Sequence, residues 1–436
     1  MKQFAIISPA PIRGSGGVAR IFNFADALTT AGFKCDVYVF DAGIKTKDQL
    51  KKEAFDFYGA KGFNIYCNAK IDGFYDYVMA TRWDTAKIVR DSSAKNKLYL
   101  VQDFEACFSP VGDGTVFAEN SYLYGLQTIT YGKWLATKLN RQYGNQPHFL
   151  DFSSDLNSFS VKRNYKERLK ERPAICFIYQ HDKPRRCPQL GIEALGIVKS
   201  MRPDVEIILV GTDQSPPLWF EYTNAGLLNL EGLNDLYNKC HVGLCLSSSN
   251  PSCNPFDMMA AGLPSVELYR DNNLYDLPEG GVLLAHQTPE SIAEAILFLL
   301  SDNEVLQRMS DFGVNFMKGR GAEQEVATFL SIVNEIDAGV SSRQVAGGKI
   351  PTRYSLPAVV APACQGAAVE AHVQDQFNCF RDEQNPHSVS SARVSTHDIV
   401  KTLSQPAYVA PAGKGMVSLF KRGVRFLKRV LRRLGV

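Results

Sequence analysis

Long apolar runs are missing from this 436-residue chain. No stretch approaches the roughly 18 apolar residues that a bilayer-spanning helix needs. The N-terminal MKQFAIISPAPIRGSGGVAR holds only a four-residue run, Phe4 to Ile7. That is too short for a signal-peptide core and fits a buried first strand, so the chain is expected to stay in the cytoplasm. The ten cysteines include no CxxC pair and no regular spacing, and the seven histidines do not cluster. A disulfide scaffold and a zinc pattern are thereby excluded. Cys35, Cys67, Cys176, Cys240 and Cys245 lie in apolar runs and read as small buried hydrophobes in a reducing compartment. Charge of one sign is scarce too. Lys and Arg number 48 against 45 Asp and Glu, and eight of those cations follow residue 413 with no acid among them, leaving 40 against 45 in the rest, about −5. By composition the body is not a nucleic-acid binder, and the tail carries the positive field.

What is present is alternation. FAIIS (4–8) reads as a strand, Gly14 to Gly17 as a loop, and Val18 to Ala31 as a helix with apolar residues at Val18, Ile21, Phe22, Ala25 and Leu28. CDVYVF (35–40), YDYVMAT (75–81) and KLYLVQD (97–103) follow as strands. The pattern restarts near Pro173. Strands are expected at 174–180, 206–212, 241–247 and 265–269, with helices at Leu190 to Lys199, Leu233 to Lys239, Asn254 to Ala261 and Pro289 to Leu300. Two βα series of similar size imply an α/β chain with two Rossmann-like domains facing a cleft. The expected division is 1–155, 156–338 with its last helix returning to the first domain, an Ala-, Pro-, Gly- and Ser-rich linker over 339–413, and a basic helix over 414–436.

Four segments can carry chemistry. In PAPIRGSGGVAR (9–20) the glycines let backbone approach a ligand, and the helix start offers amides to an anion; a plain flexible loop is the other reading. In SSSNPSCNPFDMMAAGLPSVE (247–267), Asn254 suits an N-cap and Pro255 the first helical position, while Gly262 and Pro264 stop the helix. Asp257 in the first turn can cap the helix or accept two ribose hydroxyls. In YQHDKPRRCPQLGIEAL (179–195), His181, Lys183, Arg185 and Arg186 lie between a strand end and a helix, a place for cations that stabilise a departing diphosphate, or for a solvated basic loop. In LVQDFEACFSPVGDGTVFAENSYLYG (100–125), Asp103, Glu105 and Glu119 sit among Phe104, Phe108, Tyr122 and Tyr124, which suits sugar hydroxyls and ring faces, or ordinary capping.

These segments together resemble GT-B glycosyltransferases of the family-four type, and within them the bacterial rhamnosyltransferase branch that uses dTDP-L-rhamnose. The family helix motif EGFGLPxLEAMAxGxPVV aligns with SNPSCNPFDMMAAGLPSVE, and the branch form HPSYPPLEMA is similar to NPSCNPFDMM. YLVQDFEACFSPVG is similar to the branch's YFVQDYEPxFYPxG. The resemblance spans about residues 1–335 and assigns roles. Asp257 falls on the glutamate that holds the donor ribose, and Ser249 where a sugar-contacting glutamate stands. His181 and Arg186 fall on the diphosphate-binding pair, and Gly16 and Gly17 on the loop beneath the diphosphate. Leu230 and Tyr237 lie near the base. Asn254, Pro255 and Phe256 complete the donor set. Asp103, Glu105, His181 and Arg186 are the catalytic candidates, with Phe104, Glu119 and Tyr122 on the acceptor side. The resemblance implies sugar transfer from a nucleoside diphosphate to a hydroxyl of a surface polysaccharide or lipid-linked glycan such as O-antigen, with retention. No cofactor and no metal are expected, and the chain contains no DxD. A nucleotide-sugar epimerase and a non-catalytic glycan-binding member of a membrane assembly are the rival readings.

In MVSLFKRGVRFLKRVLRRLGV (416–436), Val417, Phe420, Val424, Leu427, Leu431 and Leu434 form one apolar stripe, with Lys and Arg on the other face. Such a helix lies in an anionic headgroup layer, each cation contributing about 1 kcal/mol, so peripheral attachment to the inner membrane face is expected. A coiled-coil or docking helix is the alternative.

Overall fold

The computed structural model describes residues 1–67, 70–340 and 342. Nearly all of the linker expected over 339–413, and all of the basic helix expected over 414–436, lie outside the described residues.

Among the described residues, thirteen parallel strands form two sheets. The first contains β1 (Gln3–Ser8), β2 (Lys34–Val39), β3 (Asn64–Cys67), β4 (Tyr75–Ala80), β5 (Ala94–Val101), β6 (Gln127–Tyr131) and β7 (His148–Leu150), in the order β3-β2-β1-β4-β5-β6-β7. The second contains β8 (Ala174–Ile178), β9 (Glu206–Val210), β10 (Thr223–Asn224), β11 (Val242–Leu244), β12 (Ser265–Leu268) and β13 (Val282–Ala285), in the order β10-β9-β8-β11-β12-β13. In both, strand order reverses beside the first strand. That switch leaves a crevice at the carboxyl ends of β1 and β4, and of β8 and β11, where open α/β sheets bind ligands.

Helices cover both faces of each sheet, so the inner strands are continuous apolar runs rather than alternating ones. Phe4, Ala5, Ile6 and Ile7 of β1 are all buried, as is every residue of β8. The helix Gly16–Thr30 buries the expected stripe and also Phe24. Phe24 has a partner that local periodicity does not show: Phe329, stacked on it with ring centroids 4.1 Å apart. Phe329 belongs to Ala322–Asp337, the last described helix, which returns from the second sheet to pack on the first. Its end is held by Lys2 and Lys95 on Asp337, at 2.7 and 3.1 Å.

Several elements differ from the sequence expectation for local reasons. β11 stops at Leu244, three residues short: Cys245 N still reaches Val266 O of β12 at 3.3 Å, but Ser247 N turns to the side chain of Glu267, and Ser249 and Asn250 turn to Asp103. The helix expected from Leu233 begins at Leu230, capped by Asn229 Oδ1 accepting from Gly232 N at 2.9 Å. The helix Asn254–Ala260 ends ahead of Gly262, whose φ of +68° suits glycine. Beyond that end, buried Arg168 donates to the carbonyls of Ala261 (2.9 Å) and Tyr237 (3.0 Å). One cation thus closes the carboxyl ends of two helices, where positive charge is favoured.

Candidate active site between the two sheets

The carboxyl ends of the two sheets meet through Asp103, just past β5. Its Oδ2 accepts from Ser249 Oγ at 3.1 Å and its Oδ1 from Asn250 N at 2.9 Å, both on the loop after β11. Arg185 Nε lies 3.4 Å and Arg186 Nη2 3.9 Å from Oδ2, both on the loop after β8. Asn250 Nδ2 spans the same seam, donating to the carbonyls of Gln102 (3.0 Å) and Tyr131 (3.1 Å). Arg185 also lies over the Phe108 ring at 4.2 Å. Arg186 Nη1 donates to Ser247 Oγ at 2.6 Å and to Asn250 O at 3.2 Å. Two guanidiniums therefore converge at the second sheet's switch point, and a carboxylate from the first sheet occupies them. Such a pair can equally hold the oxygens of a phosphate.

At the other switch point, Ser15 caps the helix Gly16–Thr30 by accepting from Val18 N. Gly16 N and Gly17 N donate to no acceptor among the described residues, and so stand open to an anion at the start of a 15-residue helix. A Cβ on Gly17 would come within 2.6 Å of Gln102 Oε1, whereas one on Gly16 would meet nothing within 4 Å. One turn on, Arg20 ties four segments together. It donates to Ser153 O at 3.1 Å and to Cys253 Sγ at 3.2 Å and pairs with Glu325. Glu325 also accepts from Tyr131 Oη at 2.6 Å.

Asp257 sits on this side of the seam and accepts from Ser154 Oγ at 2.6 Å. Burial pushes its carboxyl up to about 7, against the opposing pull of Ser154 and Arg20. The helix it stands on departs from the expected amide cradle. Cys253, not Asn254, occupies the cap position, and Asn254 and Pro255 are the first two helical residues. Asn254 N donates to Ser252 Oγ at 3.3 Å, and Phe256 N and Asp257 N both donate to Cys253 O at 2.9 Å. Pro255 has no N–H. The first-turn donors of this seven-residue helix are thus already engaged, because Ser252 and Cys253 continue the turn backwards. Phe256 is buried, stacked on Phe152 with centroids 4.8 Å apart.

The remaining candidates divide. Glu105 is buried beside Asp103, but it faces its own domain. Its Oε2 accepts from Trp83 N at 2.5 Å, capping the helix Trp83–Asp91, and from Tyr99 Oη at 3.1 Å. Burial pushes its carboxyl up to about 8. Tyr122 is 2 % exposed, with its hydroxyl accepting from Glu105 N, and Phe104 packs on its ring; neither presents a face to an acceptor. Glu119 accepts from Tyr143 Oη at 3.0 Å on the outer helix Asp113–Ser121. Tyr237 is fully buried, stacked on Phe159, and is a core residue rather than a base contact. Leu230 is half exposed at its helix start. His181 is exposed and stacks on Tyr179, and no contact joins it to Arg186 among the described residues.

Sequence reasoning did not single out Arg20, Ser154, Asn250, Glu267 or Glu325. Arg20 carried a signal, its i+4 offset from Gly16, which puts it one turn behind the glycine amides. Ser154, Asn250 and Glu325 act on partners far away in sequence and carried none, and Glu267 sits in a strand whose apolar run gives it no distinguishing signal.

A family model described as WsaF, C-terminal domain, matches residues 173–297, most of the second sheet's unit. The O-antigen biosynthesis protein RfbC of Myxococcus xanthus is 26% identical over 324 residues, which is 71% of this chain and 25% of that protein. The chain thus spans about a quarter of the length of that curated relative. Among solved structures, TarM of S. aureus superposes with a TM-score of 0.61 at 9% identity, covering 77% of this chain and 99% of TarM. Sucrose-phosphate synthase of Thermosynechococcus elongatus superposes at 0.59 with 14% identity, covering 78% of this chain and all of that one. HepE of Anabaena, solved with UDP and glucose, superposes at 0.57 with 13% identity and the same coverage. At these identities the likeness is one of architecture: the chain has the GT-B fold, two Rossmann-like parallel sheets whose carboxyl ends face each other.

Proposed function

We propose that the chain is a glycosyltransferase that moves a sugar from a nucleoside diphosphate to an acceptor hydroxyl during assembly of a surface polysaccharide such as O-antigen. The observation that carries this reading is the convergence of Arg185 and Arg186 on Asp103 at the switch point of the second sheet. As the glycosidic bond to the donor breaks, negative charge builds on the diphosphate. Preorganised, largely buried cations stabilise that charge more than water would. The open amides of Gly16 and Gly17 on the facing domain supply a second anion seat. The RfbC likeness, the WsaF model and the UDP-bound HepE structure support the same class.

Finer features of the proposal rest on the sequence, the first three on the resemblance and the last two on the basic amphipathic stretch near the C-terminus. They are L-rhamnose from dTDP-L-rhamnose as donor, retention of configuration, independence from metal, a lipid-linked acceptor, and attachment to an anionic membrane surface through residues 414–436. Among the described residues no helix is long and apolar enough to cross a membrane. The test is a turnover screen over dTDP-, GDP- and UDP-sugars, with and without an acceptor glycan. Acceptor-dependent turnover of one nucleotide sugar is the expected result, with dTDP-L-rhamnose preferred. A changed sugar formed without acceptor would favour the epimerase reading. Glycan binding with no affinity for any nucleotide would leave the binding-module reading.

A further inference from the structure

Behind Arg186 lies a buried polar network that sugar transfer does not itself call for. It occupies the carboxyl ends of β11 and β12, and Ser247, Asn250, Glu267, Asn272 and Asn273 are all at most 1 % exposed. Glu267 Oε1 accepts from Ser247 N at 2.8 Å and from Leu268 N at 2.7 Å. Ser247 Oγ accepts from Arg186 Nη1 at 2.6 Å and donates to Asn250 O at 2.8 Å, the same carbonyl that Arg186 reaches at 3.2 Å. Asn272 Nδ2 donates to Ser247 O at 3.2 Å, and Asn273 Nδ2 to Leu268 O at 2.7 Å. The chain thus fixes Ser247 through its N–H, its carbonyl and its hydroxyl, and the hydroxyl fixes one nitrogen of Arg186. Nη2 of Arg186 remains on the Asp103 side of the seam.

Packing alone does not call for a carboxyl here. Its oxygen satisfies the buried N–H groups of Ser247 and Leu268, which an apolar group of the same volume would leave without an acceptor. Burial pushes the Glu267 carboxyl up to about 8, against the opposing pull of two backbone N–H groups and Arg186. A carboxyl held neutral at pH 7 still accepts both N–H bonds, and it does not neutralise the guanidinium beside it.

We infer that Glu267 is a positioning residue, which acts through Ser247 to hold the Arg186 guanidinium in one orientation for the diphosphate of a bound nucleotide sugar. The inference rests on the donor reading proposed above. The full chain is titrated calorimetrically with UDP, GDP and dTDP, as wild type and as Glu267→Ala, Glu267→Gln, Ser247→Ala, Arg186→Ala and the Glu267→Ala/Arg186→Ala double variant. Glu267→Ala and Ser247→Ala each weaken the bound nucleotide about tenfold, ~1.4 kcal/mol. Glu267→Gln, which keeps the accepting oxygen, restores binding to within about twofold. The double variant binds no more weakly than Arg186→Ala alone, because the network acts only through that side chain. A purely structural role moves the melting temperature but leaves the two losses multiplicative, and that outcome, or a Glu267→Gln as weak as Glu267→Ala, overturns the inference while the donor reading stands. If Glu267→Ala does not fold, Ser247→Ala in a cycle with Arg186→Ala decides the same point. Absence of binding by the wild type to all three nucleotides overturns the donor reading, and this inference with it.

Discussion

Asp103 shows how much of this site depends on one side chain. It stands 146 residues from Ser249 and 147 from Asn250, yet it bonds both and faces two arginines. A carboxylate on the phosphate-binding cations competes with the ligand they are built for. Asp103→Asn keeps an accepting oxygen for Asn250 N and removes the charge, so nucleoside diphosphate binding should tighten about tenfold, ~1.4 kcal/mol, by calorimetry. Weaker binding would contradict that competition. The buried acids make a second prediction. Burial holds Glu105 and Glu267 near about 8, Asp257 near about 7 and Asp276 near about 6, whereas unfolded carboxyls titrate at about 4. From about pH 4 to 8 the folded chain therefore binds more protons than the unfolded one. The stability these groups contribute is complete below about pH 4 and is lost as pH rises through 6 to 8. Thermal unfolding across that range should show wild type losing more on alkalinisation than Glu105→Gln, which has no proton to lose at that site. Parallel profiles would count against the assignment. Residue types and positions at this scale were legible: Asp103 and Arg186 lie on segments that follow strands, and Gly17 and Asp257 in the first turns of helices. Facing was not. Tyr237 and Tyr122 occupy helical or loop positions that could turn either way, and only tertiary packing buries them.

At the scale of elements, one helix is completed by the opposite domain. Lys133–Tyr143 starts at Gly132, which has no side chain to cap it. Asp276, from beyond β12, supplies the cap, accepting from Lys133 N at 2.7 Å and Trp134 N at 3.2 Å, while Trp134 Nε1 donates to Asp271 at 3.0 Å. Gly132 has φ +79° and ψ 162°, a conformation open mainly to glycine, and a Cβ there would lie 2.5 Å from Asp276 Oδ2. Gly132→Ala should cost about 1–3 kcal/mol of unfolding free energy, whereas Gly16→Ala, facing open space, should cost none and gain the helix preference of alanine, up to about 1 kcal/mol. Equal effects in denaturant unfolding would refute the trans cap. Phe329→Ala, which empties the stack on Phe24, should cost about 3–5 kcal/mol; a loss under 1 kcal/mol would mean that the returning helix adds little to the first domain. Most inner strands were legible because burial on both faces turns them into unbroken apolar runs. β6 (QTITY), β7 (three residues) and β10 (two residues) lack such runs, and the alternation of loop and strand hid them. The start of Asn254–Ala260 differs from the expectation because Asn-Pro has the chemistry of a cap and first position, while Ser252 and Cys253 begin the turn ahead of it.

For the whole molecule, two sheets of matching order close on each other edge to edge, and the last helix returns to bind the first sheet. Two repeated βα series announced that duplication in the sequence. The seam itself was invisible there, since the contacts that cross it join residues 82 or more positions apart. Two guanidiniums and two open amides border that seam, a seat of the right charge for a nucleoside diphosphate. Calorimetric titration of dTDP, UDP and GDP into the wild type and into Arg185→Ala/Arg186→Ala tests this directly. At least one nucleotide is expected to bind the wild type, and the double variant to bind it at least about a hundredfold more weakly, as for the loss of two charge-assisted contacts. Equal affinity in the two proteins, or none in either, would contradict it.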